Sequence, residues 1–167
     1  MNEKAPYGLA VIVVWLSLTF YGFYYMQYEK LRPFDPEGKL EKVNVEKLSV
    51  RINEAFDFSK NTVVHFVDEK CGCNSSSQKH LTKLSSEAFA NGYSVKFIEP
   101  KHFPMVPATP STAIIGSDNN LVYFGPYGAG ILCSDTSGFA LTVFRNHLKG
   151  FDANLIVSDV DGCYCNT

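Results

Sequence analysis

Hydrophobic and polar positions divide this chain into one long apolar block and a series of short alternating segments. The block, residues 7–26, carries no charged side chain and, at roughly 20 residues, is long enough to cross a bilayer as a helix. Tyr21, Phe23, Tyr24, Tyr25 and Tyr28 gather at its end, as an interfacial aromatic belt does. No small-x-small cleavage site follows it, so residues 1–28 are expected to be an uncleaved anchor rather than a removed signal peptide.

Beyond the block, Pro33 and Pro36 mark residues 29–44 as a tether. Leu48, Ile52, Ala55 and Phe56 recur at helical spacing. Residues 62–67 form a short apolar run rich in β-branched side chains, the signature of a buried strand. Leu81, Leu84 and Ala88 share one face of a following helix, which Asn91-Gly92 ends, and residues 93–98 read as a second strand. With a helix between them, these two strands are expected to be parallel, joined by a right-handed crossover. A loop containing Pro100, Pro104, Pro107 and Pro110 leads to a hairpin, residues 111–115 and 121–124 around a polar turn. Residues 125–130 hold too much glycine for a helix. Leu141, Phe144, Arg145 and Leu148 predict a last helix stopped by Gly150, and residues 154–160 look like a final strand. This is an α/β pattern, one domain over residues 45–167 behind an anchor and a tether.

With 46% apolar residues the chain is that of a folded protein, and its net charge of −2 gives no reason to expect a nucleic-acid partner. The glycine-rich loop lacks the Lys-Ser/Thr of a phosphate cradle, and no Ser/His/Asp set or carboxylate pair supports hydrolysis. The cysteines change the picture. There are five, grouped as Cys71 and Cys73, Cys133 alone, and Cys163 and Cys165. The odd total leaves one thiol over or implies a metal or intermolecular role. Cys71-Gly72-Cys73 falls between the apolar strand and the helix start, where free N–H groups and the positive helix end stabilise a thiolate, with Lys70 adjacent. On orientation, Lys4 precedes the span while Lys30 and Arg32 follow it, a bias toward a cytoplasmic domain. Paired cysteines belong more often to oxidising compartments, and the periplasmic side of a bacterial inner membrane is the expectation here.

Strand, cysteine motif and helix, followed by Thr109-Pro110 before another strand, resemble the thioredoxin-like superfamily over about residues 60 to 150. The resemblance implies a three-layer α/β/α sandwich with a mixed sheet, here behind one N-terminal transmembrane helix. It puts Cys71 in the place of the attacking cysteine and makes Thr109-Pro110 a cis bond whose neighbouring backbone pairs with an extended substrate, so Thr109 and Pro110 are the implied substrate-binding residues. The usual motif has two residues between its cysteines; here there is only Gly72, so Asn74 stands at the ordinary resolving position and Cys73 comes one residue early.

In that fold the motif and the proline share one end of the sheet. The hairpin returns to it, bringing Cys133 near. The last helix, about fourteen residues or about 21 Å, runs away, and about seven residues of strand come back. Cys163 and Cys165 then reach Cys71 and Cys73. The expected function is a membrane-anchored thiol–disulfide oxidoreductase acting on protein thiols or disulfides without a cofactor. Cys71 and Cys73 are the catalytic pair, and Cys163, Cys165 and Cys133 are auxiliary. The tail acts as a built-in substrate or cap. One alternative is a metallochaperone or assembly factor with Cys71, Cys73, Cys163 and Cys165 as ligands for Cu(I) or Zn, and His65 or His102 as contributors. Another is a non-catalytic domain with structural disulfides.

Overall fold

The computed structural model describes residues 5–28, 31–56, 61–130, 138–151 and 153–167. The apolar block is a single helix, α1 (Ala5–Tyr28). Its segment Tyr7–Met26 is long and apolar enough to cross a membrane, and none of it is buried against the rest of the chain. Its aliphatic hydroxyls are turned back on the helix: Ser17 donates to the Val13 carbonyl and Thr19 to that of Trp15, both at 2.8 Å. This removes their polarity from an apolar surface.

After α1 come β1 (Arg32–Pro33), α2 (Val45–Phe56), β2 (Thr62–Phe66), α3 (Asn74–Ala90), β3 (Ser94–Ile98), a 3-10 turn (Pro100–His102), β4 (Ala108–Thr109), β5 (Ser111–Ile115), β6 (Leu121–Pro126), α4 (Phe139–His147), β7 (Leu155–Ile156), β8 (Asp161–Gly162) and β9 (Cys165–Asn166). The main sheet is mixed and five-stranded, in the order β3-β2-β5-β6-β7. β2 runs parallel to β3 and antiparallel to β5, β5 antiparallel to β6, and β6 parallel to β7.

β2 shows why the layers form. Its β-branched run is buried on both faces, and the pleat sends alternate side chains to opposite sides. Val64 and Phe66 meet Leu48 and Ile52 of α2, together with Phe103 and Phe124. Val63 faces Leu84 and Ala88 of α3 and Phe144 of α4. α3 and α4 are tied by Arg145, which donates to both carboxylate oxygens of Glu87, at 2.9 Å from Nε. This pairing holds the Glu87 carboxyl below its usual range.

Three sequence expectations are corrected. The segment read as a tether is packed onto the domain: β1 pairs with β8, and Phe34 and Leu40 enter the core with Tyr164. β6 runs on through Gly125 and Pro126, because glycine there admits the final segment; a Cβ on Gly125 would lie 2.9 Å from the Val157 carbonyl oxygen. The strand expected over residues 154–160 pairs only at Leu155–Ile156, beside β6, after which the chain bends away to β1.

His65 is the polar exception inside β2. The Ser85 hydroxyl donates to the Leu81 carbonyl at 2.8 Å, so it accepts from His65 Nε2, also at 2.8 Å. His65 Nδ1 then accepts from the Tyr127 hydroxyl. Both nitrogens are satisfied in the neutral ring, and burial pushes the imidazole pKa from 6.5 down to about 4. As pH falls below 6.5, the unfolded chain takes up a proton that the folded chain refuses. Stability contributed by this group is therefore full above pH 6.5 and is lost down to about pH 4. The loss is expected to reach roughly 3 kcal/mol. Urea midpoints at pH 7.5 and pH 4.5 should separate more for the native chain than for His65→Gln; equal separations would contradict the assignment.

Candidate functional site

The turn from β2 to α3 carries the first cysteine pair. Asp68 organises it: its carbonyl accepts from the Cys71 N–H at 2.9 Å and from the Asn74 side chain at 2.7 Å. Its carboxylate accepts from the Lys70 N–H at 2.9 Å. Cys73 occupies the N-cap position of α3, and no side chain caps the helix there. The positive end of this 17-residue helix therefore begins at the cysteines. Gly72 between them is exposed, with nothing within 4 Å of where a Cβ would sit.

The second pair arrives from the C-terminus. β9 lies antiparallel to β4, with Cys165 opposite Thr109 and Asn166 opposite Ala108. Cys71 is bonded to Cys165 and Cys73 to Cys163, with Cα separations of 5.8 and 5.4 Å. The expected meeting of the two Cys-x-Cys motifs is thus observed. α4 is shorter than the fourteen residues expected, and β7 is a two-residue strand. The last approach is made by the β8 segment running against β1. Cys133 lies outside the described residues.

The Thr109–Pro110 bond is cis. The Thr109 carbonyl lies 3.5 Å from Cys71 Sγ; that sulfur, in a disulfide, has no proton to donate, and gains one only on reduction. The backbone edge at Ala108–Thr109, expected to take a substrate strand, is occupied by the chain's own β9. Cys71 and Cys163 are only 5% and 8% exposed, whereas Cys73 and Cys165 are half-buried. Neither histidine considered as a ligand joins the cluster: His65 is held by Ser85 and Tyr127, and His102 is exposed on the 3-10 turn.

What sequence reading missed is the residue between the tail cysteines. Tyr164 is 3% exposed, its ring packs edge-on to Phe34 with centroids 5.3 Å apart, and its hydroxyl donates to the Gly128 carbonyl at 2.6 Å. Gly162 is the necessary neighbour, since a Cβ there would lie 2.5 Å from the Tyr164 ring. Further bonds hold the tail: Gly130 N–H to the Asp161 carbonyl at 2.8 Å, Cys163 N–H to that of Gly130 at 3.4 Å, and Thr167 N–H to that of Pro107 at 3.2 Å. The signal was an aromatic residue flanked by cysteines.

The chain belongs to the family described as a domain of unknown function (DUF6436), which it matches over residues 41–167. No curated protein matches it. The crystal structure of a hypothetical protein from Sinorhizobium meliloti is similar at 17% identity, covering 69% of this chain and 82% of that one, with a TM-score of 0.47.

Two outcomes are expected from this geometry. The disulfides are nested, with sequence separations of 94 and 90. Once one is closed, the other closes only a ring of a few residues. Removing one by the Cys73→Ser/Cys163→Ser pair should cost about 2 kcal/mol, and removing both roughly 7 kcal/mol. Denaturant unfolding of the variants checks this, and equal costs for each step would contradict the nesting. Tyr164→Ala should destabilise by about 3–5 kcal/mol and Tyr164→Phe by about 1 kcal/mol. A mild effect of the alanine variant in the same measurement would show that the disulfides alone hold the tail.

Proposed function

We propose that this chain is a membrane-anchored thiol–disulfide oxidoreductase of the thioredoxin-like type, in which the C-terminal tail is the resident partner of the cysteine motif. The observation that carries the reading is the pairing of each motif cysteine, at the start of α3, with a tail cysteine on the strand beside Thr109. Support for the thioredoxin-like assignment comes from the mixed sheet, the cysteines between β2 and α3, and the cis bond opposite them.

The chemistry follows from leaving-group stability and access. A thiolate that attacks a tail sulfur expels a motif cysteine, whose charge the helix end stabilises. Of the tail sulfurs Cys165 is half-buried and Cys163 buried, so the partner meets Cys165. The partner's thiolate forms a mixed disulfide with Cys165 as the Cys71–Cys165 bond breaks and Cys71 leaves as thiolate. A second partner thiol then displaces Cys165. The partner departs oxidised, and Cys71 and Cys165 hold the two electrons and two protons. The same steps reversed reduce a partner disulfide. Cys73–Cys163 is a second couple, able to exchange with the first through the neighbouring motif sulfurs. α1 anchors the domain through residues 7–26, and the two disulfides suit the periplasmic side of a bacterial inner membrane.

The test uses the full chain in detergent with a dithiol peptide. Cys71→Ser should abolish turnover while Cys165, once reduced, still captures a disulfide peptide as a trapped mixed disulfide. Cys165→Ser should abolish capture at the tail. Turnover retained in Cys71→Ser, or native disulfides that a dithiol peptide leaves intact, would favour a purely structural role for the bonds.

A further inference from the structure

The same four sulfurs can do something else once the bonds between them are open. We propose that the reduced chain presents a thiolate site for one soft d10 cation, Cu(I) or Zn(II), built from Cys71, Cys73, Cys163 and Cys165. The inference does not depend on exchange with a partner.

Proximity is the first argument. The sulfurs of Cys71, Cys73 and Cys165 all lie within 4.8 Å of one another, and Cys163 is bonded to Cys73. Thiolates about 2.3 Å from a tetrahedral zinc ion stand about 3.8 Å apart. Among Cys71, Cys73 and Cys165 the looser pairs need to close by no more than about 1 Å, the Cys71–Cys165 pair opens to the same spacing, and Cys163 joins from its bond to Cys73 as that bond opens. Gly72, exposed and uncrowded, gives the motif turn room for that adjustment.

Retention is the second argument. Reduction of a disulfide ordinarily frees a terminal segment, but here most of the attachment does not involve sulfur. The Tyr164 ring lies in the core against Phe34, β9 is paired to β4, and Thr167 bonds to the carbonyls of Val106 and Pro107. The reduced tail stays docked, so four thiols stay together instead of scattering. Donor chemistry is the third. The cluster is made of sulfur alone, without a carboxylate, which suits soft cations and not Mg or Ca. The start of α3 favours the deprotonated ligands that metal binding requires. Half-buried Cys165 offers the ion its entry.

The conversion balances as follows. Two equivalents of a dithiol deliver four electrons and four protons, opening both disulfides and leaving as two cyclic disulfides. The cation then displaces the protons of the thiols it binds. The oxidised chain has no thiolate among these four and holds no metal there.

Full-length protein in detergent, reduced anaerobically with a phosphine, would be titrated in parallel with Cu(I) and with Zn(II) against a chromogenic chelator. One ion per chain should be retained, none by the oxidised chain, with affinity at least about tenfold weaker in Cys73→Ser and in Cys165→Ser. Alkylation mapped by peptide mass gives a readout that needs no variant: metal should slow modification of Cys71, Cys73, Cys163 and Cys165 together. Two results would each overturn the proposal: the reduced native chain surrendering both ions as readily as the Cys73→Ser/Cys165→Ser double variant, or unprotected alkylation at these four positions. The exchange assay remains a separate question, since an exchange-active chain that binds neither ion defeats only the metal site.

Discussion

The arrangement of the site depends on the burial of Tyr164. A strand of two residues, β9, has too little ladder to hold a chain terminus in register, and isolated pairings of that size are marginal in water. The aromatic ring supplies what the ladder lacks. It is held in the core against Phe34, with its hydroxyl bonded to the Gly128 carbonyl, and it sits between the two cysteines it serves. Because side chains alternate along an extended segment, a ring fixed in the core aims its two neighbours the other way, toward the start of α3. Phe34, which receives the ring, comes from the segment just after the anchor. Both termini of the domain therefore meet at the site, with β1 against β8.

Much of the fold was legible because its elements state their period. The β-branched run of β2, the 3.6-residue spacing of Leu48 and Ile52 in α2 and of Leu84 and Ala88 in α3, and the polar turn of the β5–β6 hairpin each point one way. What failed to show was set by tertiary packing. Two prolines made residues 29–44 read as a tether, and nothing local says that Phe34 and Leu40 will find a core. The segment 154–160 carries an apolar run, yet only Leu155 and Ile156 form a strand beside β6, because the chain then turns toward β1, where the Val160 carbonyl accepts from the Phe34 N–H.

The site was legible by a different route. The grouping of the cysteines marks the site, and the length of the returning chain is enough to bring the two pairs together. Connectivity was not legible. Four cysteines permit three pairings, and only the antiparallel placement of β9 on β4 selects the nested one, with the outer cysteines of the two motifs joined and the inner ones joined. A bond within Cys71-Gly72-Cys73, the nearest analogue of an ordinary redox motif, has no place in this arrangement because each sulfur already has a partner across the interface.

That nested pairing lets one bond open while the other still holds the tail. In small secreted domains disulfides stand in for a core too small to hold the chain. Here the core is substantial on both faces of the sheet, and the tail is fixed by an aromatic anchor, main-chain pairing and the Thr167 bonds before any sulfur is counted. Opening one bond leaves the other closed and the tail docked, so the electrons can change without the geometry following. A centre that must give up and regain electrons, or exchange bonds for a metal, requires this independence; a structural staple does not. The exposure pattern agrees. In the Cys71–Cys165 bond the tail cysteine is half-buried while its partner is buried, so that bond has a side open to attack and a side that stays within the protein.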